Sequence, residues 1–255
     1  FKGDLMNRLT VFKAHVFKAI ILSASLLPFS SAMAADAISP GDFDELCRCV
    51  DPFDGVRQIP VLIRDFKDSH PDFEGGIFGY DKGIVETTIG ADGRPVYAGA
   101  TYTTHGKETF DQWYKSIPGL NLPINKTLAM HEVEPGLYRF TDFDFFPIDG
   151  EGFGNQGYSH NYHFTLETHL KFFYVEGGQF TFNGDDDLWI FINGKLAIDL
   201  GGVHGRETKT VYLDTLAEEL GIEPNNTYSF DLFFAERHST HSAFQFETTF
   251  ELQCL

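Results

Sequence analysis

Residues 183–204 read NGDDDLWIFINGKLAIDLGGVH. Asn193-Gly194 separates two apolar runs, DLWIFING (187–194) and KLAIDLGG (195–202). An Asn-Gly pair between such runs is the strongest short-range hairpin signal, because both residues tolerate the positive φ of a tight turn. Directly before the first run stand Asp185, Asp186 and Asp187. Three adjacent negative charges repel, and each is costly to bury without a partner.

Working outward, strands follow one another at short intervals from Leu137. YRFTDFDFFPI (138–148), HNYHFTLETHLKFFYV (160–175), GQFTFNG (178–184), KTVYLDTL (209–216), TYSFDLFFAER (227–237) and AFQFETTFEL (243–252) all qualify. Several alternate: Phe140, Phe143 and Phe145 against Asp142 and Asp144, and Phe230, Leu232 and Phe234 against Asp231 and Phe233. Period-two patterning with Gly and Asn turns predicts antiparallel sheets. Upstream, IPVLIRDF (59–66) reads as a first strand. Residues 67–110, rich in Gly, Asp, Thr and His, read as long surface loops. TFDQWYKS (109–116) and LDTLAEELGI (213–222) have helical spacing. The expected fold class is all-β: an antiparallel two-sheet β-sandwich with long loops and one or two short helices, in a single domain over residues 59–252.

Before that domain lie two different compositions. Residues 1–34 carry Arg8, Lys13 and Lys18, an apolar run 19–27 and the small-residue site Ala32-Met33-Ala34. These are the parts of a secretory signal peptide, with cleavage expected after Ala34. The run is too short for a membrane span and is followed by Pro28, so no membrane span is expected after cleavage. Losing Lys2, Arg8, Lys13, Lys18 and Asp4 would take the net charge from −18 to −21. A secreted protein this acidic has no general field for nucleic acid. Residues 35–58 form a polar lead-in with Cys47 and Cys49. A Cys-x-Cys pair is poorly placed to bridge itself, so a disulfide from either to Cys254 is expected, leaving one thiol over.

The aspartate triplet has two readings. One is a solvated turn. The other is a cation site, since a hard ion such as calcium is the natural partner of clustered carboxylate oxygens. On an ordinary strand Asp185 and Asp187 share a face and Asp186 does not. If Asp185 and Asp186 chelate one ion, the backbone between them must leave the strand form, as a cis peptide does. Nearby, Asp199 and His204 bracket Gly201-Gly202 in a loop that can sit beside the triplet, and Glu236-Arg237-His238 suggests an internal ion pair that holds a loop. His160 and His163 face opposite sides of a strand, which argues against zinc. Trp189 alternates within a core strand and reads as packing; Trp113 lies outside that run.

Residues 183–204 with FFAERHSTHSAF (233–244) closely resemble the fibro-slime domain, within the broader protective-antigen-type sugar-binding β-sandwich superfamily. FFPIDGEGFG (145–154), HNYHFT (160–165), IPVLIRDF (59–66) and HPDFE (70–74) extend the resemblance over nearly all the chain after residue 58. The resemblance implies a calcium-dependent carbohydrate-binding module. It places the family's cis-linked calcium-binding pair on Asp185-Asp186, with Asp187 as a third ligand or as an acceptor behind the pair. A loop matching residues 238–243 would complete the site, with Ser239 and Ser242 as candidates. Asp199, His204, Glu236, Arg237 and His238 are the remaining candidate contacts. The expected partners are extracellular or cell-surface glycans. The alternatives are a calcium-stabilised matrix or surface protein and, for an enzyme, a glycoside hydrolase with two carboxylates flanking a cleft. No Ser-His-Asp signature, phosphate loop or zinc-protease helix is present in the sequence.

Overall fold

The computed structural model describes residues 56–99, 101–238 and 240–254. The calls on the signal segment, on most of the lead-in, and on Cys47 and Cys49 lie outside the described residues, as does Ser239. Thirteen strands and two helices follow in chain order: β1 (Val56–Phe66), β2 (Gly79–Tyr80), α1 (Lys107–Phe110), β3 (Asn121–Glu134), β4 (Leu137–Asp142), β5 (Phe164–Phe173), β6 (Gln179–Asp185), β7 (Asp187–Ile192), β8 (Lys195–Leu200), β9 (Gly202–Val203), β10 (Glu207–Tyr212), α2 (Leu213–Leu220), β11 (Thr227–Glu236), β12 (Ala243–Thr248) and β13 (Leu252–Cys254).

Every pairing is antiparallel. The main path runs β10-β6-β12-β4-β3-β1-β5-β11-β7-β8, with β13 added to β5 and a separate β2-β9 pair. The path folds over on itself, β3 and β1 joining the two layers. Phenylalanines from the two layers meet in the middle: Phe246 against Phe230 at 5.5 Å between ring centroids, and Phe244 against Phe234 at 5.2 Å. This is the expected antiparallel sandwich. The Asn193-Gly194 turn joins β7 to β8 with φ of 50° and 74°, the positive values a two-residue hairpin turn requires.

Three expectations need correction. Residues 67–110 carry little regular structure, but they are not simply surface. With the segment that follows they cover the outer face of β7 and β11, packing Ile84, Val85, Phe110, Trp113 and Tyr114 on Trp189, Phe191 and Phe233. That cover explains why β7 is buried at all six positions and reads as a continuous apolar run. Second, β3 was not anticipated. Eleven of its fourteen residues, 121–131, pair with β1 from Val56 to Phe66, yet only Asn121, Leu128 and Met130 are buried, so half of its residues are polar, its apolar ones show no steady alternation, and it carries Pro123. Third, Phe143 does not continue the inward row of Phe140 and Phe145. The chain bends after Asp142, whose carboxylate accepts the Asp144 N–H at 3.0 Å, and Phe143 turns out to solvent.

Candidate functional site

Four strand termini converge at one end of the sandwich: β6 ends at Asp185, β7 begins at Asp187, β11 ends at Glu236 and β12 begins at Ala243. The Asp185–Asp186 peptide is cis, the conformation the family resemblance implies. Asp185 Oδ1 accepts the Ala243 N–H at 2.6 Å. Asp186 Oδ1 accepts the His204 N–H at 3.1 Å, and its Oδ2 accepts the Arg237 N–H at 3.2 Å. Glu236 is fully buried beside them. Among the described residues its Oε1 accepts only a long bond from the His238 N–H at 3.4 Å, and its Oε2 has no hydrogen-bond partner. The Ser242 hydroxyl is close enough to ease the charge on Glu236, but it makes no bond of regular geometry.

Asp187 points elsewhere. Its two oxygens receive Arg237 Nε at 2.6 Å, Arg237 Nη2 at 3.1 Å and the Gly202 N–H at 2.6 Å. Both partners of this ion pair are fully buried. Both Asp187 oxygens are engaged by protein donors. The ion pair expected within residues 236–238 is thus made by Arg237 to β7, not to Glu236. Arg237 also donates to the Thr103 carbonyl at 2.6 Å and lies 4.8 Å from the Trp113 ring centroid. It ties the 101–105 loop and the Trp113 segment to the tip.

The electrostatics follow from this arrangement. Arg237 answers one of four buried carboxylates. Burial pushes the Glu236 pKa well above the usual carboxylate range, and the charges of Asp186 and Asp185 push the same way. Burial also raises Asp186 strongly, assisted by Asp187. Asp185 is raised by burial too, partly offset by the Ala243 N–H and by His204, His241 and Arg206. Among the described residues no three His, Cys, Asp or Glu side chains are arranged as a group that could hold a metal ion. Asp185, Asp186 and Glu236 do offer only hard oxygen donors, and Glu236 Oε2 is a buried carboxylate oxygen without a partner among the described residues, a group that is costly to leave charged in the interior.

The remaining predicted residues divide by role. Asp199 takes Trp189 Nε1 at 3.1 Å, the Gly83 N–H at 2.7 Å and the Gly201 N–H at 3.0 Å; both of its oxygens fasten loops. His204 and His238 sit at the rim, each under an aromatic ring: Tyr80 stacks on His204 at 4.7 Å, and Phe78 packs on His238 at 4.4 Å. Phe78, Tyr80, Phe143 and Arg206, near the same end, were not among the site residues singled out from the sequence. The run GGIFGY (75–80) held the signal: two large rings set among glycines in a segment without strand periodicity.

Sequence comparison finds relatives among the psi proteins of Dictyostelium discoideum. The chain is 42% identical to Protein psiQ over 213 residues, 77% of this chain and 21% of that protein. It is 38% identical to Protein psiR over 216 residues, again 77% and 21%, and 36% identical to Protein psiD over 215 residues, 76% and 42%. It therefore spans only about a fifth to two fifths of these relatives. No protein-family model matches the chain. Similar solved structures include a PA14 sugar-binding domain from an RTX adhesin, with 13% identity, 46% of this chain and 75% of that one covered and a TM-score of 0.26. The PA14 domain of the MpAFP antifreeze protein gives 10% identity, 74% and 80% coverage and a TM-score of 0.24. Likeness at these scores says nothing about what this chain binds.

Proposed function

We propose that the chain is a secreted, calcium-dependent carbohydrate-binding module of the fibro-slime type, recognising extracellular or cell-surface glycans. The observation that carries this reading is the convergence of Asp185, Asp186 and Glu236 at one strand-end tip, with a single buried cation, Arg237, committed to Asp187. Asp185, Asp186 and Glu236 would hold the ion. Calcium accepts six to eight oxygens, more than this set supplies, so coordination positions remain for vicinal sugar hydroxyls. Secretion is supported by the signal-like pattern of residues 6–34.

Calorimetric calcium titration is expected to show one site that is lost in Asp185→Ala and in Asp186→Ala; unchanged binding in both variants would refute the metal assignment. A glycan array with and without chelator then separates the readings. Chelator-sensitive glycan binding supports the lectin. Calcium-dependent melting without any glycan signal points to a matrix protein in which the ion only holds β6, β11 and the 201–204 loop together. Release of reducing sugars would point to a glycoside hydrolase.

A further inference from the structure

Around the carboxylate tip lies a rim of exposed aromatic rings that the metal reading does not use. Phe78 is 62% exposed, Tyr80 58% and Phe143 46%, whereas most of this chain's many aromatic side chains are packed inside. Exposing several rings at one place is costly for a soluble domain and marks an interaction site. These rings are also fixed in place. The 78–80 segment is fastened by the β2-β9 pair, by the Asp81 N–H to the Gly201 carbonyl at 2.7 Å, and by the Tyr102 hydroxyl donating to the Tyr80 carbonyl.

The rings lie beside the site, each against the side chain of a histidine whose backbone N–H reaches the carboxylates. Tyr80 lies nearly parallel to His204, with an interplanar angle of 16°, and the His204 N–H holds Asp186. Phe78 leans on His238, and the His238 N–H reaches Glu236. The Tyr80 ring lies face to face with its imidazole, the Phe78 ring is tilted by 58° against its own, and both residues stay more than half exposed. Phe143 is backed by the Arg206 guanidinium, 4.6 Å from its centroid, and Arg206 is one of the charges that act on Asp185.

We propose that Phe78 and Tyr80 are the stacking platform of a sugar subsite beside the carboxylate tip, and that its occupant is a neutral pyranose of a glycan chain. The proposal rests on the carbohydrate-binding reading above and specifies its ligand. Two surfaces have to be matched at once, a flat apolar face and an oxygen-rich cation site. A pyranose ring offers both, a face of C–H groups and an edge of vicinal hydroxyls. A peptide's aromatic side chain would satisfy the rings alone. A polyanionic glycan would meet a chain of net charge −18 and be repelled at long range.

The test uses the full chain with calcium, against immobilised neutral hexose oligosaccharides and, in parallel, polygalacturonate. Phe78→Ala and Tyr80→Ala are expected to weaken the neutral interaction by about tenfold each, the scale of a lost aromatic contact. Calcium affinity and melting temperature should stay at wild-type values, and Tyr80→Phe should restore binding. The platform is refuted if wild type binds a neutral oligosaccharide and both alanine variants bind it equally well, or if wild type binds polygalacturonate in preference. Wild type that takes up calcium yet binds neither probe refutes the carbohydrate-binding reading itself, and the platform with it.

Discussion

Arg237 is fully buried where four carboxylates meet, and its guanidinium is bonded to Asp187, to Thr103 and, at longer range, to the Asp72 carbonyl. A buried ion pair gains little over well-packed apolar residues, but removing one partner strands the other charge in the interior. Arg237→Met should therefore cost about 3–5 kcal/mol in urea unfolding, while the double variant Arg237→Met/Asp187→Leu should recover most of that loss. A single variant as stable as wild type would show that the pair does not hold the tip. The asymmetry among the aspartates follows from the same contacts. Asp187 is answered by Arg237, whereas Asp185 and Asp186 are held only by backbone N–H groups. The GDDD run suggested a cation site; that Asp187 is instead paired with a buried cation depended on an arginine fifty residues downstream, and no local pattern reveals such a partner.

At the scale of elements, the short β2-β9 pair places the exposed rings. Gly202 has φ of 115°, and a Cβ there would lie 2.2 Å from the Gly79 carbonyl oxygen. Gly202→Ala should cost about 1–3 kcal/mol and act locally: hydrogen exchange at the Asp81 N–H, bonded to the Gly201 carbonyl, should accelerate while exchange within β7 stays slow. Uniform acceleration across the protein would contradict a local role. A second element-level device joins β5 to β11, where His169 and Asp231 are direct cross-strand partners with Nδ1 2.7 Å from Oδ1. Burial alone would lower the imidazole pKa, but the bond to Asp231 and the charges of Glu167 and Asp231 outweigh it and hold the group above its ordinary 6.5. The folded state thus binds this proton more tightly than the unfolded chain does. Its stabilisation is complete below pH 6.5 and is lost as pH rises through the folded-state pKa. In urea unfolding from about pH 5.5 to 9, wild type should lose its advantage over His169→Gln as pH rises; a constant difference would exclude the linkage. The strands themselves were largely legible because β5, β6, β7, β11 and β12 are apolar on at least one face. β3 was not, because its hydrogen bonds go to β1 and β4 while most of its side chains face water. The covering loops were misread because their apolar residues are scattered, and only the fold brings them onto Trp189 and Phe233.

For the whole molecule, the carboxylate tip is where four acidic side chains, Asp185, Asp186, Asp187 and Glu236, are buried together. The formal net charge is −18, and most of it can remain in water, where neighbouring charges are screened. Asp186 and Glu236 cannot follow, being buried and pushed toward protonation by burial and by each other. Anything that neutralises them in the folded state alone stabilises the domain, since the tip joins the ends of β6, β7, β11 and β12. Under the calcium reading, saturation at about a hundred times Kd should add about 2.7 kcal/mol, or about 5–10 °C in Tm for a domain of this size. The shift should vanish with chelator and be abolished in Asp186→Asn. Glu236→Gln separates the ion from the charge it relieves: without calcium it should melt above wild type, because a buried like charge is gone, and with calcium it should gain less. Equal calcium-induced shifts in wild type, Asp186→Asn and Glu236→Gln would show that any stabilising ion sits elsewhere on the acidic surface.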